Sequence, residues 1–71
     1  MNPIVILSEL CQAKFRASME TRVVSKSGPD HAPVITVEIA LPDGFTYRAS
    51  GSNKKEAKKI AAQKALDDLG F

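Results

Sequence analysis

The stretch Gly51–Lys64, GSNKKEAKKIAAQK, is written like a helix with its charges at the wrong end. Asn53 is a good N-cap residue, and Glu56 three positions on supplies the polar half of a capping box. The alanines and Ile60 are packing residues that carry the helix to about Leu69, where Gly70 can end it. Lys54, Lys55 and Lys58 nevertheless crowd the first turns, where the helix dipole favours anions. Each exposed cation there costs about a few tenths of a kcal/mol. On a helical wheel with Ala57 at zero, Ala57, Ala61, Ala62, Ala65 and Leu69 span an arc of roughly 140°. Lys54, Lys58 and Lys55 fall at roughly 60°, 100° and 160°, so they continue the buried azimuth instead of opposing it. Lys59 and Lys64, at roughly 200° and 340°, read as an ordinary solvated face. The expected geometry is a first turn that overhangs the sheet edge, its three ammonium groups and free N–H groups turned one way. Such an arrangement is a phosphate site.

Upstream of this helix the pattern changes period. Asn2-Pro3 is a helix start, with Asn as N-cap and Pro at the first helical position. Ile4, Leu7, Leu10, Cys11 and Phe15 follow on one stripe, and the helix should end near Ala13 or Lys14. Three strands come next. Thr21 to Ser25 is short and holds Val23 and Val24, and Val34 to Leu41 alternates apolar and polar residues. LPDGF, Leu41 to Phe45, has the Pro and Gly of a hairpin turn and returns the chain into Phe45 to Ser50. KSGPDHAP, Lys26 to Pro33, is too rich in Gly and Pro for a tight turn and reads as a true loop. The order α-β-β-β-α, with one apolar stripe per helix, predicts an α+β fold: two helices on one face of a three-stranded antiparallel sheet.

The length of 71 residues allows one domain, 1–71, close to the lower limit for a self-sufficient core. A net charge of +2 points to no partner, but five of the ten basic residues lie between Lys54 and Lys64, which makes a local patch for a polyanion. One cysteine excludes an internal disulfide, and one cysteine with one histidine leaves no metal site. Cys11 reads as a buried thiol. Without a secretory signal pattern or a long apolar run, the chain is expected to be soluble and intracellular, with no membrane partner. Glu38, Asp43 and the other acids are scattered and have no partnered His or Cys, so the chain reads as a non-enzyme that needs no cofactor.

Three segments carry a resemblance. GSNKKEAKKIAAQKAL (Gly51–Leu66), SGPDH (Ser27–His31) and NPIVILSEL (Asn2–Leu10) resemble, in order and spacing, the signatures of the double-stranded RNA-binding domain. The likeness covers nearly the whole chain. It implies the same α-β-β-β-α fold and contact with A-form RNA across two minor grooves and the major groove between them. It further implies that Lys54, Lys55 and Lys58 hold phosphates across the major groove, and that Pro29 and His31 enter one minor groove. The first helix would enter the other, through Asn2, Val5, Ser8 and Glu9, with Gln12 on the same face. A carboxylate such as Glu9 can accept from 2′-hydroxyls or a guanine amino group. The chain departs from the family pattern at Thr21, where an aromatic is common, and at Ile35, where Phe is frequent. Pro33 replaces a frequent lysine, and Val5 a polar residue of some members.

Other readings are weaker. Phe45 and Tyr47 invite a base-stacking platform, but Trp is absent and Tyr47 reads as core-facing. GSNKK lacks the spacing of a P-loop and of a GxxG clamp. The rival from another class is a protein-interaction or dimerisation module of the same fold, using the outer sheet face or the Ile6 side of the first helix. Family members that have given up RNA usually lose the lysines or the loop motif, and this chain keeps both.

Overall fold

A computed structural model of the chain describes residues 2–70. Helix α1 spans Pro3–Phe15, strands β1, β2 and β3 span Glu20–Ser27, Val34–Ala40 and Thr46–Gly51, and helix α2 spans Lys54–Asp68. Local chemistry sets most of these ends. Asn2 Oδ1 accepts the N–H of Ile4 at 2.9 Å, and Pro3 opens α1 where no donor is needed. α1 runs to Phe15, slightly beyond its expected end, because Arg16 itself takes the left-handed conformation (φ 54°) and donates its N–H to Gln12 O. That position usually falls to Gly or Asn, so the sequence carried no stop signal.

The strands pair antiparallel in the order β1-β2-β3. β1 extends past the expected Thr21 to Ser25 at both ends because β2 offers it partners from Val34 to Ala40, and a bulge between Val23 and Ser25 absorbs one residue. At the β2–β3 hairpin, Gly44 (φ 97°) donates to Leu41 O and Leu41 donates to Phe45 O, while Asp43 Oδ1 accepts the N–H of Phe45. Pro42, Asp43 and Gly44 thus do what their turn preferences suggest. Leu41 and Phe45 flank the turn outside the strands, and β3 continues one residue further, to Gly51.

Both helices lie on one face of the sheet. α2 lies along β2 and β3, and α1 packs on α2. Leu7, Cys11, Val37, Ile39 and Leu41 form the core with Ala49 and the α2 residues Ala57, Ala61, Ala62, Ala65 and Leu66. Burial on α2 reaches Leu66, wider than the alanine arc, because the helix is covered by the sheet on one side and by α1 on another. Ile60, expected to pack, is instead 39% exposed: it lies off the arc that these two neighbours cover. Cys11 is buried, and burial together with the charge of Asp43 pushes its thiol above the ordinary range. No helix among the described residues is long and apolar enough to cross a membrane.

Candidate nucleic-acid interface

The start of α2 is built by two close fits. Asn53 Oδ1 accepts the N–H of Glu56 at 2.8 Å, and Asn53 O accepts that of Ala57. The N–H groups of Lys54 and Lys55 are left as the free donors of the first turn. Glu56 does not close a reciprocal capping box; its carboxylate accepts from the Ser52 hydroxyl at 2.9 Å. Below the turn, Gly51 ends β3 so near the helix that a Cβ there would meet Ala57 N at 2.8 Å and Ala57 Cα at 3.2 Å. The missing side chain is what lets the strand run directly under α2. Burial on α2 begins only at Ala57. Lys54 and Lys55 are therefore exposed, and Lys58 is half-buried.

The β1–β2 loop folds back on itself. Gly28 (φ 85°) stands where a Cβ would lie 2.6 Å from Ala32 O, and Ala32 donates to Pro29 O at 2.9 Å. Pro29, Asp30 and His31 are exposed on the resulting turn.

Along α1, Asn2, Val5, Ser8, Glu9 and Gln12 are all exposed. Val5, at 47%, is a large apolar side chain left in solvent. The Oδ1 of Asn2 is committed to its cap, so only its amide N–H2 is free to donate outward. Gln12 Nε2 donates to Ser18 Oγ at 2.8 Å, tying the α1–β1 linker back to the helix. Val5, Ser8 and Glu9 share a groove of about 370 Å³ with Thr21 of β1 and Lys58 of α2. Ile4 and the linker residues Ser18 and Met19 complete it. Nothing in the pattern of the sequence singled out the two linker residues, because they belong to no motif and reach the groove only through the turn after Arg16.

Topology arranges these parts in order. Ser27 pairs with Val34 at the loop end of the sheet, and Thr21 pairs with Ile39 toward the other end, roughly 20 Å away along the strand. Gly51 pairs with Ile35, so α2 starts at the loop end and runs back. Lys54 and Lys55 thus follow the loop, and Lys58 lies further on, where it joins the α1 groove. The opposite sheet face is occupied differently. Glu38 accepts from Arg48 Nε at 2.9 Å and lies 3.5 Å from Arg22 Nη2. The Arg48 hydrogen bond holds the Glu38 carboxyl below the ordinary range, against the opposing effect of burial and with help from the Arg22 charge. Phe45 is 63% exposed near the hairpin, whereas Tyr47 is half-buried and donates from its hydroxyl to Asp68 Oδ2 at 2.7 Å. Phe45 and Tyr47 therefore make no paired platform.

A domain with this element order and a basic helix start beside a Gly-Pro loop has known counterparts. The profile of the double-stranded RNA binding motif matches residues 3–69, and the chain belongs to that family. Among individual proteins, it is 41% identical over 64 residues to ribonuclease 3 of Ehrlichia canis, covering 90% of this chain and 28% of that protein. Ribonuclease 3 of Myxococcus xanthus is likewise 41% identical over 64 residues, covering 90% of this chain and 25% of that protein. The chain spans well under half the length of these relatives. A solved structure of Arabidopsis HYL1, described for its molecular implications for miRNA processing, matches with a TM-score of 0.81 at 28% identity, over 100% of both chains.

Proposed function

We propose that the chain binds double-stranded RNA by its A-form shape, with little dependence on sequence. The observation that carries this is the ordered surface of loop, lysines and α1 on a chain of this family. Lys54, Lys55 and Lys58 hold phosphates across the major groove, and the free N–H groups at Lys54 and Lys55 assist them. Pro29 and His31 meet one minor groove. Asn2, Val5, Ser8 and Glu9 meet the other, where 2′-hydroxyls distinguish RNA from DNA. The similarity to ribonuclease 3 and HYL1 supports a place as the RNA-holding module of a longer RNA-processing protein. The domain acts by binding, and any cleavage belongs to other domains.

The test is a titration against an RNA duplex of about 20 base pairs and its DNA counterpart, at about 50 and 200 mM salt. Salt-sensitive binding to RNA, with little to DNA, is the expected result. Equal binding to both reduces the site to a generic basic patch. Binding to neither overturns the reading in favour of a protein-interaction module.

A further inference from the structure

The groove beside α1 is more than a shape reader of paired RNA requires. A shallow A-form minor groove offers a convex line of sugars and stacked base edges, and none of these can leave the duplex to enter a recess. The recess is an open one of about 370 Å³, similar in volume to others on this surface, and what marks it is its lining. Its walls combine apolar Val5 and Met19 with the hydroxyls of Ser8 and Thr21. Glu9 and Lys58 line it as well, one an acceptor and the other a cation. Glu9 is an exposed carboxylate on a surface for a polyanion, favourable only where the ligand brings it a donor, and an unpaired base edge adds a nitrogen donor to the 2′-hydroxyls of paired RNA.

We propose that this groove takes an unpaired base extruded from the bound duplex, one whose edge carries an exocyclic amine. The base lies against Val5 and Met19, and its amine donates to Glu9. Lys58 lines the same groove, so the cation that holds duplex phosphate also lies near the backbone of the extruded nucleotide. Adenine, cytosine and guanine carry such an amine, and uracil, whose only edge donor is its ring N3–H, does not. A bulge suits the groove because its base is already unstacked, so little stacking is lost on entry. The inference rests on the RNA-binding reading above and adds a preference among duplexes.

The experiment is a fluorescence-anisotropy titration of the chain with duplexes of about 20 base pairs, uninterrupted or carrying one central bulged A, C or U. The A and C bulges are expected to bind about fivefold tighter than the uninterrupted duplex, the yield of one added hydrogen bond. The U bulge should match the uninterrupted duplex. Thr21→Tyr fills the groove and should erase the preference, so that bulged and uninterrupted duplexes bind alike. Thr21→Ile, a smaller and β-branched filler, serves the same purpose if the tyrosine unfolds the domain, as a thermal melt would report. Glu9→Gln, whose amide can also donate, should bring the U bulge level with A. Equal affinity for bulged and uninterrupted RNA overturns the proposal and leaves duplex binding standing. So does a preference that survives filling of the groove. No binding to any duplex overturns both this inference and the reading it rests on.

Discussion

Lys54 and Lys55 stand against the helix dipole with no acidic partner among the described residues, and that position separates stability from function. Replacing either by Ala should leave thermal stability unchanged or raise it by about a few tenths of a kcal/mol. The same change should weaken RNA binding by roughly five- to twentyfold and reduce the salt slope by about one. Lys58→Ala should weaken binding similarly but also lower stability slightly, since its half-buried stem packs beside α1. Lys64→Ala is the control. Equal losses at all four sites would show that the three lysines do not form a separate site. At this scale the sequence was informative where a residue acts on its own neighbours, as Asn2, Asn53 and Gly44 do. It misplaced Glu56, expected to close a capping box, whose carboxylate instead accepts from the hydroxyl of Ser52, a donor just before the cap that the motif does not count.

The helices and strands were legible as elements because hydrophobic period and turn chemistry are local. Their limits were less so. β1 gains its outer residues only by pairing with β2, and the burial of α2 depends on where α1 settles, so the width of its core face and the exposure of Ile60 lay beyond the pattern. The join of β3 to α2 is the sharpest test of the element packing. Gly51→Ala would drive a Cβ against Ala57 N, a backbone atom that cannot swing away. The substitution should destabilise the domain by about 1–3 kcal/mol, as overpacking does. It should also lower RNA affinity by more than the unfolded fraction explains, because the lysines move with the helix start. Denaturant melts and binding curves on the same sample separate the two effects. A variant as stable and as tight as the parent would show that the close approach does not position the site.

At the scale of the whole molecule, stability and binding titrate through different groups. Tyr47 is pushed up to about 12, first by its hydrogen bond to Asp68, then by burial and by the nearby carboxylate charges. A raised tyrosine stabilises the fold below the unfolded value of about 10 and ceases to do so as pH climbs through the folded one. Thermal melts from about pH 9 to 12 should therefore fall more steeply for the parent than for Tyr47→Phe. Parallel curves would remove Tyr47 from the alkaline limb. Glu38 works at the other end: its lowered carboxyl stabilises the fold above its unfolded value and stops doing so as acid protonates it. Both groups lie away from the basic surface, which lets the fold respond to pH without rearranging its lysines.

Lys64, the lysine outside the basic group, donates from Nζ to Arg48 O at 3.0 Å. Arg48 faces Glu38 in the β2–β3 ladder, and its carbonyl points out along the free edge of β3. A long duplex gathers many copies of a domain like this, shoulder to shoulder, at a local concentration far above that of the solution. Crowded neighbours are where bare strand edges zip together into aggregates. An ammonium seated on that edge must be evicted before a foreign strand can dock, so Lys64 guards the bare side of β3 against such pairing.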